Sequence, residues 1–154
     1  MKTCAVVLMG VLFCFAAMAS DEKPSFSGVW TRSGTGSTTV STVEHHDPDL
    51  KVTFRSSFIG GAIGVGSGGV ESYTTDGVEK VSTADNGRVS LVRWITVNWQ
   101  GPSLVFLRVV KEGYHVTVNR EAWTLSEDGR TLTKKFRTIN MDAVTEDTQV
   151  FQKQ

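Results

Sequence analysis

Four consecutive β-strand patterns between residues 88 and 140 constrain the fold of this chain more than any other feature. Residues 89–99 are dense in β-branched and aromatic side chains, 103–110 form a near-continuous apolar run, and 114–125 alternate between apolar and polar side chains. These compositions and lengths are typical of strands rather than helices. A fourth pattern follows at 131–139. The region is therefore predicted to form an antiparallel meander.

Short turn signals separate these strands and two earlier ones: Asp76-Gly77, Asn86-Gly87, Gly101-Pro102, Glu112-Gly113 and Asp128-Gly129. Glycine readily adopts the left-handed backbone that tight hairpin turns require. The intervals leave room for strands but not for crossover helices, which disfavours parallel topology. We expect an all-β, antiparallel up-and-down meander that closes into a barrel of about 8 to 10 strands, because closure removes exposed sheet edges. A flat sheet or a sandwich is the alternative.

The N-terminal residues have the features of a cleaved secretory signal peptide. Lys2 precedes an apolar stretch at 5–15, and Ala17-Met18-Ala19 fits a small-x-small cleavage site. We assign 1–19 to the signal peptide, 20–25 to a polar lead-in and 26–154 to a single domain. The mature protein is expected to be extracytoplasmic, either periplasmic or secreted. The apolar stretch is short for a bilayer span, so no integral membrane span is expected, with an uncleaved anchor as the alternative.

Cysteine and charge content narrow the function classes. Cys4 and Cys14 both lie in the predicted signal peptide, so the mature chain would have no disulfide, thiolate metal site or cysteine nucleophile. The full sequence has 16 Lys and Arg residues against 16 Asp and Glu residues. These charges are dispersed and give no footprint for nucleic acid.

A Gly-x-Trp pair on the first predicted strand, at residues 25–31, introduces a family resemblance. Gly28-Val29-Trp30 resembles the opening signature of lipocalins and their calycin relatives. Further stretches make the chain similar to small secreted lipocalin-like proteins of environmental bacteria: 44–52, 73–77, 123–132 and 150–153. The resemblance implies that Gly28 and Trp30 lie where one end of a barrel is closed.

Cytosolic fatty-acid-binding proteins are also similar in their ten-strand meander, but this chain departs from them twice. Only five residues separate Arg32 from Thr38, which leaves no room for the two-helix lid of those proteins. Their carboxylate site uses an arginine and a tyrosine on the last strand. The corresponding stretch here, 148–152, contains neither residue.

The glycine-rich segment at 59–69 has two interpretations. It is followed by no Gly-Lys-Ser/Thr motif and is not a phosphate loop. A flexible hairpin loop is one interpretation, because Gly- and Ser-rich stretches are flexible. The other is an entrance loop, in which Ile59, Ile63 and Val65 offer apolar surface to a ligand.

The one histidine and carboxylate cluster runs from His45 to Asp49. Adjacent histidines on a strand point to opposite faces and do not readily share an ion. We interpret the cluster as a turn in which Asp47 and Asp49 make local backbone bonds. A zinc site would need a third ligand such as His115. We predict no metal and no cofactor.

Several charged and aromatic residues on the predicted strands are candidates for contact with a ligand inside a barrel: Arg93, Trp94, Trp99, Arg108, His115, Glu121 and Trp123. A buried charge must be paired or must contact a ligand. Placing Trp123 and Leu125 inside also places His115 and Glu121 inside, whereas placing Val116 inside reverses the set. The alternatives are ion pairs on the outer wall and aromatic core packing.

Two function hypotheses follow. The first is a binding protein that holds a small apolar or amphipathic ligand in its barrel. The second is a filled barrel that acts through its surface as an inhibitor, adaptor or envelope component. No Gly-x-Ser-x-Gly elbow and no evident carboxylate pair indicate an enzyme. The sequence identifies no protein partner.

Overall fold

The computed structural model describes residues 23–34, 36–58, 67–85, 90–141 and 143–154. These residues form an all-β fold of antiparallel strands, which confirms the predicted class. The strands are β1 (Gly28–Gly34), β2 (Ser37–His46), β3 (Asp49–Phe58), β4 (Ser67–Thr74), β5 (Lys80–Asp85), β6 (Ser90–Gln100), β7 (Ser103–Glu112), β8 (His115–Leu125), β9 (Thr131–Asn140) and β10 (Ala143–Lys153). Among these residues, no helix has the length and apolar character needed to span a bilayer.

The ten strands form one meander sheet in the order β4-β3-β2-β1-β10-β9-β8-β7-β6-β5. Strands adjacent in sequence are adjacent in the sheet, except β4 and β5. In addition, β1 pairs with β10 through Trp30 opposite Lys153 and Thr31 opposite Gln152. This pairing joins the first strand to the last, because each has a free edge available to the other.

Among the ten described strands, the expected closure of the sheet through hydrogen bonds is not observed. β4 and β5 are the two ends of the strand order, so the hairpin expected at Asp76-Gly77 does not form a ladder. Instead, the Gly77 N–H donates to the Val97 carbonyl oxygen of β6 at 3.0 Å. The connection therefore packs on β6 rather than making a tight turn. Side chains still meet across the interior, because the rings of Tyr73 on β4 and Phe106 on β7 lie 5.2 Å apart.

The core occupies one end of the sheet, where inward-facing side chains from most strands converge. Its fully buried members include Phe26, Trp30, Phe106, Leu50, Leu104 and Leu132. The first strand begins at Gly28, later than the predicted start at 25. Phe26 therefore precedes the strand, and its ring stacks on Trp99 at a centroid distance of 5.9 Å.

The Gly-x-Trp pair has a structural reason in this packed end. Gly28 has φ of +141°, a backbone conformation that is almost restricted to glycine. A Cβ at this position would also lie 2.7 Å from Cε of Lys153. Trp30 is completely buried, and its indole N–H donates to the Phe26 carbonyl oxygen at 2.9 Å. The pair thus brings the start of β1 close to β10 and fills the core.

We expect Trp30→Ala to lower the free energy of unfolding by about 3–5 kcal/mol, because it leaves a large cavity in a closely packed core. Urea denaturation of the purified domain measures this change. The neighbouring Val29 is 38% exposed, and Val29→Ala should change stability by no more than about 0.5 kcal/mol. Equal effects of the two substitutions would contradict the role given to Trp30.

Candidate functional site

A cavity of about 720 Å³ lies inside the sheet, beyond the packed end. Its apolar wall includes Val52, Phe54, Ile95, Trp123, Phe136 and Phe151. The charged residues that line it are Glu71, Arg93, Arg108, Glu121 and Lys134. Such a combination of aromatic surface and a few charged groups is typical of small-molecule sites.

Strand alternation and register bring these side chains together. Glu121 and Trp123 on β8 lie two residues apart and so face the same side of the sheet. On the neighbouring strand β9, Phe136 pairs with Glu121 and Lys134 pairs with Trp123. The structure therefore has the alternative in which Trp123 and Glu121 face inward, and Val116, of opposite parity, is 43% exposed.

A hydrogen-bonded network centred on Arg108 joins β4, β7 and β8 across the interior. Its Nη1 donates to Oε2 of Glu121 at 2.7 Å, and its Nη2 donates to the hydroxyl of Tyr73 at 2.8 Å. The Tyr73 hydroxyl donates to Glu71, and the Trp123 indole N–H donates to the second oxygen of Glu121. Both oxygens of Glu121 are thus occupied, which satisfies a carboxylate that is almost fully buried.

The surroundings of Arg108 and Tyr73 shift the pKa values of both side chains. Burial works against the charged form of Arg108, but the Glu121 carboxylate and Tyr73 outweigh it and hold the pKa of the guanidinium above its ordinary value. Burial raises the pKa of the Tyr73 phenol, which stays neutral at physiological pH. Arg108 therefore stays charged beside the Glu121 carboxylate, at an N–O distance of 2.7 Å, and Tyr73 stays neutral.

Lys134 on β9 is a second cation of the cavity, and it is only 6% exposed, whereas Arg108 is half-buried. Its Nζ lies 3.8 Å from the ring centroid of Trp123 and 4.9 Å from that of Phe151. Within the described residues, no carboxylate oxygen lies within 4.0 Å of this ammonium group. Burial lowers the pKa of Lys134 to about 8, although the negative charge of Glu121 acts in the opposite direction.

The structure divides the candidate residues predicted from the sequence. Five of them line the cavity: Arg93, Trp94, Arg108, Glu121 and Trp123. Trp99 instead packs beside Phe26 at the packed end of the sheet, and His115 is exposed at the start of β8. The predicted entrance-loop residues Ile59, Ile63 and Val65 lie outside the described residues, as does the predicted signal peptide. Contact of any of these residues with a ligand remains a prediction.

Sequence reasoning did not identify Glu71, Tyr73 or Lys134 as parts of the site. A signal for Lys134 was present, because Leu132, Lys134 and Phe136 alternate with polar residues along one strand. Tyr73 and Glu71 had no such signal. They lie 35 or more residues from Arg108 in the sequence, and only the curvature of the sheet brings them together.

The histidine and carboxylate cluster lies at the packed end of the sheet, apart from the cavity. His45 is buried, and its Nδ1 accepts a hydrogen bond from the Phe26 N–H at 3.3 Å. Its Nε2 has no hydrogen-bond partner in the described chain and lies 3.9 Å from Asp47 Oδ1. Burial lowers the pKa of His45. His46 is exposed on the opposite face, and among the residues described no three His, Cys, Asp or Glu side chains could together hold a metal ion.

The expected turn is present at Asp47-Pro48, between β2 and β3. Within the part of the chain that the structure describes, however, the Asp47 carboxylate binds side chains of other segments rather than the local backbone. It accepts hydrogen bonds from the hydroxyl of Thr75, from Nζ of Lys23 at 2.9 Å and from the indole N–H of Trp99 at 3.0 Å. The bond from Thr75, followed by that from Lys23, lowers the pKa of Asp47 to about 2. Asp47 thus connects three segments that are distant in the sequence.

We expect Lys134→Met to raise the free energy of unfolding at pH 7 by about 1–3 kcal/mol, because a buried charge is replaced by an apolar side chain of similar length. The pKa of Lys134 is about 8 in the folded protein against 10.5 ordinarily. Between these values the unfolded chain binds more protons, so the wild-type protein gains stability as pH rises. The advantage of the variant should therefore shrink from pH 8 to 10.5, as measured by urea denaturation. The exposed neighbour Lys135→Met is the control, and a pH-independent difference would contradict the assignment.

Removal of Glu121 alone should lower the free energy of unfolding more than removal of both Glu121 and Arg108. Glu121→Leu leaves the guanidinium of Arg108 with only the more distant carboxylate of Glu71, at an N–O distance of 3.7 Å, and should lower the free energy of unfolding by about 3 kcal/mol. In a double-mutant cycle with Arg108→Leu, we expect a favourable coupling energy of at least about 1 kcal/mol. Additive effects of the two substitutions in urea denaturation would show that the pair is not coupled.

Comparison with known proteins gives a structural similarity but no family match. No family model matches the chain, and no curated protein sequence matches it. Among solved structures, the chain is similar to secretory abundant heat soluble protein 4 from Ramazzottius varieornatus, with 12% sequence identity and a TM-score of 0.49. The match covers 84% of this chain and 94% of that protein.

Proposed function

We propose that this protein is a secreted or periplasmic binding protein that holds a small apolar or amphipathic molecule inside its β-sheet. The observation that carries the proposal is the cavity of about 720 Å³, whose wall combines aromatic side chains with a few charged groups. A cavity of this kind removes the apolar surface of a ligand from water, which is the main driving force for such binding.

The order of the polar groups supports a binding role. Hydrogen bonds of 2.7 and 2.8 Å join Arg108 to Glu121 and to Tyr73. The polar part of the cavity wall is therefore already ordered before a ligand binds. A ligand then loses less free energy to the ordering of protein side chains. The hydrogen-bonded network also explains how charged residues are tolerated inside an apolar site.

The sequence-based alternative, a filled barrel that acts through its surface, has less support. Its premise is a packed interior, whereas a cavity of about 720 Å³ lies beside the core that includes Trp30 and Phe106. The proposed extracytoplasmic location rests on the signal-peptide features of residues 1–19.

Native mass spectrometry tests the proposal directly. The chain from residue 20 to 154 is purified gently from the compartment to which it is exported, and its mass is measured before and after denaturation. We expect an additional mass that disappears on denaturation and identifies the ligand. A bare monomer mass, unchanged after incubation with a lipid extract, would overturn the binding function.

A matched pair of variants places the ligand in the cavity. Gln149 on β10 lines the cavity, whereas Gln152 is exposed on the opposite face of the same strand. We expect Gln149→Trp to reduce saturable uptake of the neutral dye Nile red at least tenfold, because the added ring occupies the cavity. Gln152→Trp should leave uptake unchanged. Equal uptake by both variants would show that the dye binds elsewhere.

A further inference from the structure

We propose that Lys134 selects the charge of the ligand, and that the ligand is an amphiphile with a single negative charge whose anionic group binds Nζ of Lys134. This inference rests on the proposed binding function and adds to it the chemical class of the ligand. It follows from the charges that line the cavity and from the absence of a counterion for one of them among the described residues.

The charged lining has one positive charge in excess. Its two carboxylates, Glu71 and Glu121, face three cations, of which Arg108 interacts with both at N–O distances of 3.7 and 2.7 Å. Arg93 is exposed, so water screens its charge. Lys134 is left as the buried cation whose charge the described residues do not neutralise through an ion pair.

The surroundings of Lys134 satisfy it only in part. The faces of Trp123 and Phe151 attract the ammonium group, which keeps a charge tolerable beside apolar surface. An aromatic face, however, does not replace the hydrogen-bond acceptors that three ammonium N–H groups have in water. An anionic oxygen in the cavity would supply such an acceptor together with the missing negative charge.

The position of Lys134 fits an amphiphile rather than a fully polar anion. The next inward residue on β9 is Phe136, and Phe151 on β10 borders the same cavity. When the anionic group of an amphiphile binds Nζ, its apolar chain would therefore lie along an aromatic wall. On the last strand the cavity is lined by Gln149 and Phe151, neither of which carries a charge. The cation without an ion-pair partner is therefore Lys134 on β9, and the last strand, β10, contributes no charge to the cavity wall.

The charge on Lys134 also predicts how affinity depends on pH. The groups that act on it are Glu121 on β8, Arg108 on β7 and Glu71 on β4. Arg108 stays charged and Tyr73 stays neutral, as argued above. Lys134 is mostly protonated at pH 7 and loses its proton near pH 8. Affinity for an anion should therefore fall as pH rises from 7 to 9.5, whereas affinity for a neutral ligand should not.

Competition against bound Nile red tests the inference with three probes of equal chain length: dodecanoate, dodecanol and dodecyltrimethylammonium. For the wild-type protein at pH 7, we expect dodecanoate to bind at least tenfold more tightly than dodecanol, and the cation to bind most weakly. Lys134→Met should lower the affinity for dodecanoate at least tenfold and change that for dodecanol less than threefold. Lys135→Met, on the exposed face, should resemble the wild type.

The outcomes separate this inference from the function on which it rests. Tight binding of dodecanol and dodecanoate with equal affinity, unaffected by Lys134→Met, overturns the role of Lys134 and leaves the binding function intact. Failure of every probe and of Nile red itself overturns both. The pH profile of the wild-type protein is independent of any variant, and a dodecanoate affinity that stays constant to pH 9.5 also overturns the inference.

Discussion

The structure depends on the packing of Trp30 between the first and last strands. β1 pairs with β2 on one edge and with β10 on the other, so Trp30 lies where the first and last strands of the chain meet. Its complete burial beside Phe26 stabilises this junction by removing a large apolar area from water. Without the junction, β1 and β10 would each leave an unpaired edge, and the inward faces of the strands would not converge.

The packed end of the sheet also determines where the cavity begins. On β7 the inward residues run from Leu104 and Phe106 in the core to Arg108 and Val110 on the cavity wall. On β8 they run from Trp123 to Glu121. Apolar side chains therefore fill the packed end, and charged ones follow further along the same faces. A charge in that region must be paired or in contact with a ligand, because its desolvation is costly.

Arg108 and Lys134, two cations that line this cavity, have different physical roles. Arg108 is bound to Glu121 and Tyr73, and its planar guanidinium suits such fixed, multiple hydrogen bonds. Lys134 lies against aromatic rings, and the described residues give its ammonium no carboxylate partner. The first interaction holds strands together across the interior. The second lowers stability, because burial disfavours a charge that has no ion-pair partner.

The sequence by itself determined the all-β class and the antiparallel pairing of most consecutive strands, because alternation with a period of two and glycine-containing turns depend on local chemistry. It also indicated that Glu121 and Trp123 share a face, and that Gly28 and Trp30 are special. Only the tertiary structure decided that β4 and β5 stay unpaired and that Tyr73 reaches Arg108. It alone showed which cation lacks a carboxylate partner among the described residues. These outcomes depend on the curvature of the sheet, a property of all the strands together that no local pattern encodes.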